Sequence, residues 1–320
     1  MKSSMLFGIA AAALLLAGCG EAKSGPKKLK IGVSVPSATH GWTGGILYHA
    51  EKAKTRIEKA NPDVEVIITS GQTTAEQVDR VENLLGRSPD ALVVLSQEPA
   101  PLAPVLKRAK EKGTYLVIVS NPMPDNLADY FVNGDNRSLG AAAAEAMAKA
   151  LDGKGDIVMM EGIPCPINTE RVTAFTEAMK KYPGIRILDS KSANWNTEQG
   201  LKLMENFLQK YPKIDGVWAG DDDVMIGALK ALEESKRTDV KAMVGAGGSK
   251  VMIGKVKSGD RFVKATVTYS PSMIADGIDI ALAALRNGKK SPDGKVERLI
   301  ESVIVTQQNA DRYLYPDSPY

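Results

Sequence analysis

Short runs of β-branched and apolar residues alternate with longer stretches of helical periodicity along most of this chain. In the first half, the pattern predicts strands over 29–35, 64–69, 91–95 and 115–119, with helices starting near 43 and over 74–86 and 101–112. Regular alternation of strands and helices places the helices on both faces of a parallel sheet. This pattern constrains the fold more than any other feature, and it predicts an α/β protein.

The second half repeats the same order of elements without repeating the sequence. Its predicted strands and helices, in chain order, are 156–160, 168–182, 185–188, 196–211, 216–219, 224–234 and 240–244. We interpret the two series as two similar, doubly wound parallel-sheet domains. A helix over 273–285 and one strand over 299–305 are too little for a third domain, so we expect them to complete the other two.

This arrangement requires the chain to pass between the domains near 133–135, 270–271 and 301. Three crossings make a hinge. The predicted N-terminal domain therefore combines 29–133 with 271–301, and the predicted C-terminal domain combines 134–270 with 302–320.

The first 28 residues are predicted to lie outside both domains. Lys2 precedes an unbroken run of small and apolar residues over 5–17, which is too short for a membrane-spanning helix but is typical of a signal peptide. The following Leu-Ala-Gly-Cys, ending at Cys19, is similar to a bacterial lipobox. We expect 1–19 to be a lipoprotein signal peptide, Cys19 to carry a lipid anchor, and 20–28 to be a tether. The alternative is a cysteine that merely follows small residues.

Composition excludes several classes of function. Removing residues 1–19 takes one basic residue from the 41, which leaves 40 against 38 acidic residues, a net charge of about +2. This near balance argues against nucleic acid as a partner. Cys165 is the only other cysteine, so no intramolecular disulfide can form in the mature chain. We interpret it as a small packed side chain rather than a reactive thiol.

The loop after the first strand carries the first candidate site residues. The strand stops at Pro36, and His40 and Trp42 follow directly. In an open parallel sheet, ligands bind in the crevice at the carboxyl ends of the strands. A large ring beside an imidazole at this position therefore indicates one wall of a binding site. The alternative is that Trp42 is a half-buried packing residue and His40 an ordinary loop residue.

Several short motifs stand in a fixed order along the rest of the chain. They are VNGDN at 132–136 with LG at 139–140, EG at 161–162 with NTER at 168–171, WAGDD at 218–222, VGAGG at 244–248 and TVTYSP at 266–271. Together with the strand and loop that carry Trp42, they resemble the ribose- and galactose-type periplasmic binding proteins, the solute receptors of ABC importers. The resemblance extends from 29 to about 308 and implies the type I fold and solute binding between the two domains.

The resemblance also implies a set of sugar contacts in this sequence. They are His40, Trp42, Ser120, Asn121, Arg171, Trp195, Asp221, Gly247 and Ser270. The family often has an Asp-Arg pair where this chain has Ser120 and Asn121, usually an aspartate at Gly247, and often an amide at Ser270. The chain keeps the arginine, the aromatic residues and one acid, but it lacks two aspartates and an arginine of this pattern, which argues against ribose itself.

The chemistry of these residue types points to the same class of ligand. A polyhydroxylated molecule needs fixed donors such as Arg171 and acceptors such as Asp221, whose charge-assisted hydrogen bonds contribute about 1.5–3 kcal/mol each. Indoles such as Trp42 and Trp195 pack on the C–H faces of the carbon chain and exclude water. Aromatic residues make up only 5% of the chain, so two indoles at loop positions are stronger support for a binding site than they would be in an aromatic-rich chain.

Other kinds of site are less well supported. Asp221, Asp222 and Asp223 could hold a hard metal ion, but we assign Asp222 and Asp223 to the N-cap and first turn of the following helix. The glycine-rich run at 245–250 matches neither common nucleotide-binding motif. An enzyme would need a nucleophile with a base or a metal cluster, which two histidines and one mature cysteine do not supply. We therefore expect no enzyme activity, no cofactor and no metal.

The sequence predicts a monomeric, lipid-anchored solute receptor outside the cytoplasm. It would close its two domains on a monosaccharide or short polyol and present this ligand to an ABC permease in the membrane. The alternative is a ligand receptor for a membrane signalling or chemotaxis sensor, which would use the same residues.

Overall fold

The first of two six-stranded sheets is wholly parallel. The computed structural model describes residues 28–38, 40–124 and 127–320. In spatial order, the sheet contains β11 (Glu297–Ile300), β5 (Tyr130–Gly134), β4 (Tyr115–Val119), β3 (Ala91–Val94), β1 (Leu29–Pro36) and β2 (Val64–Gly71). β3 and β4 are buried along their whole length, as expected for strands covered on both faces.

The second sheet has the same arrangement of its central strands. It contains β12 (Ile304–Val305), β10 (Val263–Thr268), β9 (Ala242–Gly247), β8 (Gly216–Ala219), β6 (Lys154–Glu161) and β7 (Gly184–Ser192). β12 pairs antiparallel to β10, and the other pairs are parallel. The predicted fold of two similar parallel-sheet domains is confirmed.

Helices cover both sheets of the described chain. They are α1 (Gly41–Ala60), α2 (Thr74–Gly86), α3 (Pro99–Glu111), α4 (Asn136–Ala150), α5 (Pro166–Met179), α6 (Thr197–Lys210), α7 (Asp222–Ser235), α8 (Lys250–Ser258) and α9 (Met273–Arg286). Side-chain N-caps begin several of them; Asp135, for example, accepts a hydrogen bond of 2.8 Å from the Ser138 N–H. Within the described residues, the structure contains no helix that is both long and apolar enough to cross a membrane.

The chain crosses from one sheet to the other after β5, after β10 and after β11. The predicted single strand over 299–305 is wrong, because β11 pairs with β5 in the first sheet and β12 pairs with β10 in the second. Hydrophobic periodicity detects an apolar run but does not reveal which partner each part of it pairs with. The domain bounds given above stay a prediction.

Candidate functional site

A cavity of about 260 Å³ lies where the carboxyl ends of the two sheets face each other. Eight of the nine predicted site residues line it: His40, Trp42, Ser120, Asn121, Arg171, Trp195, Asp221 and Gly247. We call the lining residues that follow β1 to β4 the first wall, and those that follow β6 to β10 the second wall. Both sheets therefore contribute to one site.

Ser270 lies elsewhere. It lines a second cavity of about 190 Å³, which is also bordered by Gly247, and its hydroxyl lies 2.8 Å from the Ser272 hydroxyl. The preceding residue, Tyr269, lines the first cavity. Side chains of successive residues in extended chain point to opposite sides, so placing the contact one residue too far along the chain moves it to the other cavity. Ser270 therefore does not line the cavity that holds the other eight predicted residues, and its role as a sugar contact stays a prediction.

Arg171 on α5 is the most firmly held cation of the cavity. Its side chain donates from Nε to Asn136 Oδ1 at 2.9 Å and from Nη1 to the Gly220 carbonyl at 2.8 Å, and the residue is only 4% exposed. The guanidinium carbon lies 4.5 Å from the centre of the Tyr269 ring. Nη2 makes no hydrogen bond to any residue that the structure describes. Arg171 is thus fixed in orientation, with one donor group left for a ligand.

Asp221 is the acid of the second wall, and it is also the N-cap of α7. Its carboxylate accepts a hydrogen bond of 2.8 Å from the Asp223 N–H. Burial, and then the negative charge of Asp223, raises the pKa of Asp221 to about 7, while the positive charge of Arg171 opposes the rise. Near neutral pH, this carboxyl group is able either to donate or to accept a hydrogen bond.

Asp222 and Asp223 both lie in the first turn of α7, as expected, but neither of them is its N-cap. The N-cap is Asp221, whereas Asp222 is fully buried and accepts hydrogen bonds from the Ser249 N–H at 2.7 Å and from Thr266 Oγ1 at 2.9 Å. Burial raises the pKa of Asp222 to about 8. The side chain therefore joins α7 to the segment after β9, behind the second wall.

The start of α1 contacts the start of α7 across the cavity. The Gly41 N–H donates to Asp223 Oδ2 at 3.1 Å. His40 Nδ1 is 3.7 Å from the same oxygen, which is beyond hydrogen-bond distance, and it has no partner among the described residues. The two walls are thus in direct contact at this edge.

The two predicted indoles differ in how their N–H groups are used. Trp42 Nε1 donates to the Tyr269 carbonyl at 2.9 Å, and the two rings are 5.7 Å apart. Trp195 Nε1 is buried and has no hydrogen-bond partner in the described part of the chain. Trp195 has a φ of +52° and packs on Gly162, where a Cβ atom would overlap the indole nitrogen. One indole N–H is therefore paired within the protein, whereas the other is buried, has no partner among the described residues and belongs to a ring that lines the cavity.

The first wall consists mainly of neutral polar groups. Ser120, with a φ of +63°, hydrogen-bonds through Oγ to the Tyr269 hydroxyl at 2.9 Å, and Asn121 Nδ2 donates to the Ser96 carbonyl at 2.7 Å. Ser96 Oγ is buried without a partner in the described chain. Buried polar groups of this kind are costly unless something pairs with them.

Sequence reasoning missed several lining residues. Besides Tyr269, they include Ser37, Gln72, Ser96 and Gln97. Each follows the end of a strand in the first or second sheet, so the carboxyl-end rule that singled out Trp42 could have found them. Gln97 is held by a buried neighbour: its N–H donates to Gln77 Oε1 at 2.8 Å.

The fold and the cleft between two parallel sheets define the class of this protein. A model of the "Periplasmic binding protein domain" family matches residues 31–290, and the chain belongs to this family. More particularly, it is a type I periplasmic sugar-binding protein of ABC importers, as the resemblance predicted. Family membership implies an extracytoplasmic location.

Relatives with known ligands cover most of the chain. A xylitol-binding protein of Mycolicibacterium smegmatis is 30% identical over 304 residues, which are 93% of this chain and 83% of that protein. A ribose import binding protein of Bacillus subtilis is 27% identical, covering 82% of this chain and 84% of that protein. The structure of a solute-binding protein of Actinobacillus succinogenes with bound D-allose matches with a TM-score of 0.79 at 25% identity. The match covers 89% of this chain and 100% of that one.

Proposed function

We propose that this protein binds a monosaccharide or short polyol in the first cavity, closes its two domains around it, and delivers it to an ABC permease. One observation carries the proposal: a fixed arginine, a protonatable carboxyl group and an indole ring line one cavity from the second wall. Neutral hydroxyl and amide groups face them from the first wall.

This mixture of groups suits a ligand with a hydroxyl on every carbon. Each hydroxyl donates one hydrogen bond and accepts others, so it is able to pair with Arg171, with Asp221 and with an amide. The indoles of Trp42 and Trp195 supply apolar faces for the C–H groups between the hydroxyls. An apolar ligand would leave Ser96 Oγ and Trp195 Nε1 unpaired, at a cost of about 1–3 kcal/mol for each group.

Closure follows from the division of the site between two walls. A ligand stabilises the closed form only by as much as it binds that form better than the open one. A small polyol that contacts Arg171 from one wall and Asn121 from the other gains these contacts together only on closure. The predicted domain bounds, 29–133 with 271–301 and 134–270 with 302–320, are proposed as the two bodies that move.

The relatives support a sugar or polyol without deciding between them, because their names give xylitol, ribose and D-allose as ligands of those proteins. A thermal-shift screen over pentoses, hexoses, deoxysugars and polyols of three to six carbons tests the proposal. A ligand at about 100 times its dissociation constant should add about 2.7 kcal/mol to the free energy of unfolding. If no compound stabilises the protein, or if Arg171→Ala and wild type respond equally, the proposal is wrong.

The lipid anchor belongs to the same proposal. Cys19, the predicted signal peptide over 1–19 and most of the tether lie outside the described residues. We expect wild type to partition into detergent with a lipid on Cys19, and Cys19→Ala to lose it. Mass spectrometry that finds an unmodified N-terminus, cleaved elsewhere, would contradict this.

A receptor role in signalling is the second candidate. It is supported by the structural likeness to the fructose-binding periplasmic domain of a hybrid two-component system, which has a TM-score of 0.75 at 25% identity. The two roles differ in the membrane partner. Ligand-dependent stimulation of an ATPase-driven permease in proteoliposomes supports import, whereas stimulation of a sensor kinase alone would support signalling.

A further inference from the structure

Tyr320, the last residue of the sequence, is buried between the two walls. It is only 5% exposed. On the side of the first sheet, its side chain packs on glycines of α1: a Cβ atom on Gly41 would lie 2.8 Å from Tyr320 Cδ2, and one on Gly45 would lie 3.0 Å from Tyr320 Cβ. Both distances are shorter than ordinary carbon contacts, so a larger residue at either position would force this side chain to move.

On the side of the second sheet, the phenol packs on Gly247. This residue has a φ of +123°, and a Cβ atom there would overlap the Tyr320 hydroxyl oxygen. The phenol hydroxyl therefore occupies the space that a side chain at position 247 would take. It lies beside the carboxylates of Asp221 and Asp222, and burial together with these charges keeps the pKa of Tyr320 well above its usual value. The hydroxyl keeps its proton and has no hydrogen-bond partner within the described residues.

The segment that carries this residue is tied to the second domain. We call residues 316–320 the strap. Lys250 at the start of α8 donates to the carbonyls of Ser318 at 2.6 Å and Pro316 at 3.3 Å. Ser318 is 1% exposed, and its hydroxyl accepts a hydrogen bond of 3.2 Å from the Tyr320 N–H. The strap is therefore held by the second domain, and it places the Tyr320 ring against α1. We call the space that the ring fills, between α1 and Gly247, its seat.

The ring stands between the two cavities. Gly247 lines both of them, Asp221 lines the first, and Tyr320 lines the second. Gly247, which has no side chain, thus borders both the space of about 260 Å³ and the one of about 190 Å³, and the phenol packs on it.

We propose that Tyr320 is a specificity-determining residue that closes the ligand cavity at its Gly247 end and so limits the length of the ligand. This inference rests on the function proposed above. Removing the ring joins the two cavities and admits a longer carbon chain. The phenyl ring is the closing element, so Tyr320→Phe keeps the limit.

The first test compares affinities for acyclic polyols of three to seven carbons by calorimetry. In Tyr320→Ala, we expect the affinity for six- and seven-carbon polyols, relative to five-carbon polyols, to rise by about tenfold or more, the usual effect of one carbon at a pocket wall. Tyr320→Phe should keep the wild-type ratio. The matched control is Tyr315→Ala, which removes a 45% exposed ring that lines only the second cavity. An unchanged ratio in Tyr320→Ala would overturn the proposal.

A second test needs no sugar. In Tyr320→Ala, p-cresol should refill the seat, which would raise the melting temperature of the variant but not of wild type. The less disruptive Tyr320→Val gives the same readout if the alanine variant does not fold. A wild type that binds no polyol or sugar contradicts the proposed function, while stabilisation by p-cresol still supports the ring seat. A folded Tyr320→Ala or Tyr320→Val protein whose melting temperature does not rise with p-cresol would overturn the proposed role of the Tyr320 ring.

Discussion

The two walls of the cavity are built on different principles. Apart from His40, the first wall offers neutral hydroxyl and amide groups on loops: Ser37, Gln72, Ser96, Gln97, Ser120 and Asn121. The second wall offers Arg171 and Asp221, both more than nine-tenths buried and both anchored on helices. Buried charge is tolerated only with fixed partners, whereas neutral amides are cheaper to bury. We therefore expect most of the affinity to come from the second wall and the selection among similar ligands to come from the first.

The largest effect is expected from Arg171→Ala. It removes the ligand-facing Nη2 and also leaves Asn136 Oδ1 and the Gly220 carbonyl unpaired. Calorimetry should show binding weakened by about tenfold or more, and urea unfolding should show a loss of about 1–3 kcal/mol in the unliganded protein. The expected loss of stability follows from the hydrogen bonds to Asn136 and Gly220, which no sequence pattern reveals.

The matched control for this variant is Arg137→Ala on α4, an exposed arginine paired with Glu177. It should change neither quantity by more than about 0.5 kcal/mol. If Arg171→Ala bound the ligand as tightly as wild type does, the second wall would not be the source of most of the affinity.

A smaller effect is expected from Trp195→Phe, which keeps the ring and removes its unpartnered N–H. Affinity should fall by about three- to tenfold, because one ligand hydroxyl loses a donor. Trp42→Phe instead removes a hydrogen bond to the Tyr269 carbonyl and should lower the stability of the unliganded protein. Equal effects on affinity and stability in the two variants would show that the indoles are not used differently.

On the first wall, Gln97→Ala should weaken binding only about two- to tenfold, the value of one neutral hydrogen bond. The ratio of affinities for epimeric sugars should change more than the affinity for the best ligand. Gln209→Ala on the exposed face of α6 is the control and should leave both quantities unchanged. A uniform loss for all epimers would contradict the selective role of the first wall.

Asp222, directly behind the second wall, should have the smallest effect on affinity but a clear effect on pH dependence. Its pKa is raised to about 8 in the folded protein, so the unfolded chain gives up this proton at lower pH. The free energy of unfolding should therefore fall as pH rises from about 4 to about 8, and Asp222→Asn should reduce this slope to the part that Asp221 contributes. Urea unfolding between about pH 5 and pH 8 measures it.

Asp239→Asn is the control with the opposite sign. A hydrogen bond from Arg237 lowers the pKa of Asp239 to about 2, so its contribution to stability is complete above about pH 4 and is lost only as the pH falls below that. The variant should be destabilised equally from about pH 5 to pH 8. An Asp222→Asn protein that keeps the wild-type slope would contradict the assigned cause.

The sequence was most informative where periodicity or strand ends carried the signal. Alternating strands and helices predicted both sheets, and the carboxyl-end rule with the family resemblance brought Trp42, Arg171 and Asp221 to one cavity. The sequence could not show that Tyr269, rather than Ser270, lines the first cavity, because this depends on the direction in which each side chain points after the end of β10. The seat of Tyr320 gave no local signal at all, since glycines from α1 and β9 form it only in the folded chain.

Small-angle scattering tests the central claim that one ligand bridges the two walls. With the sugar or polyol found in the thermal screen, wild type should show a smaller radius of gyration than without it. Arg171→Ala at equal ligand concentration should show little change. A bound wild type with an unchanged radius of gyration, or an Arg171→Ala protein that compacts as wild type does, would contradict the account.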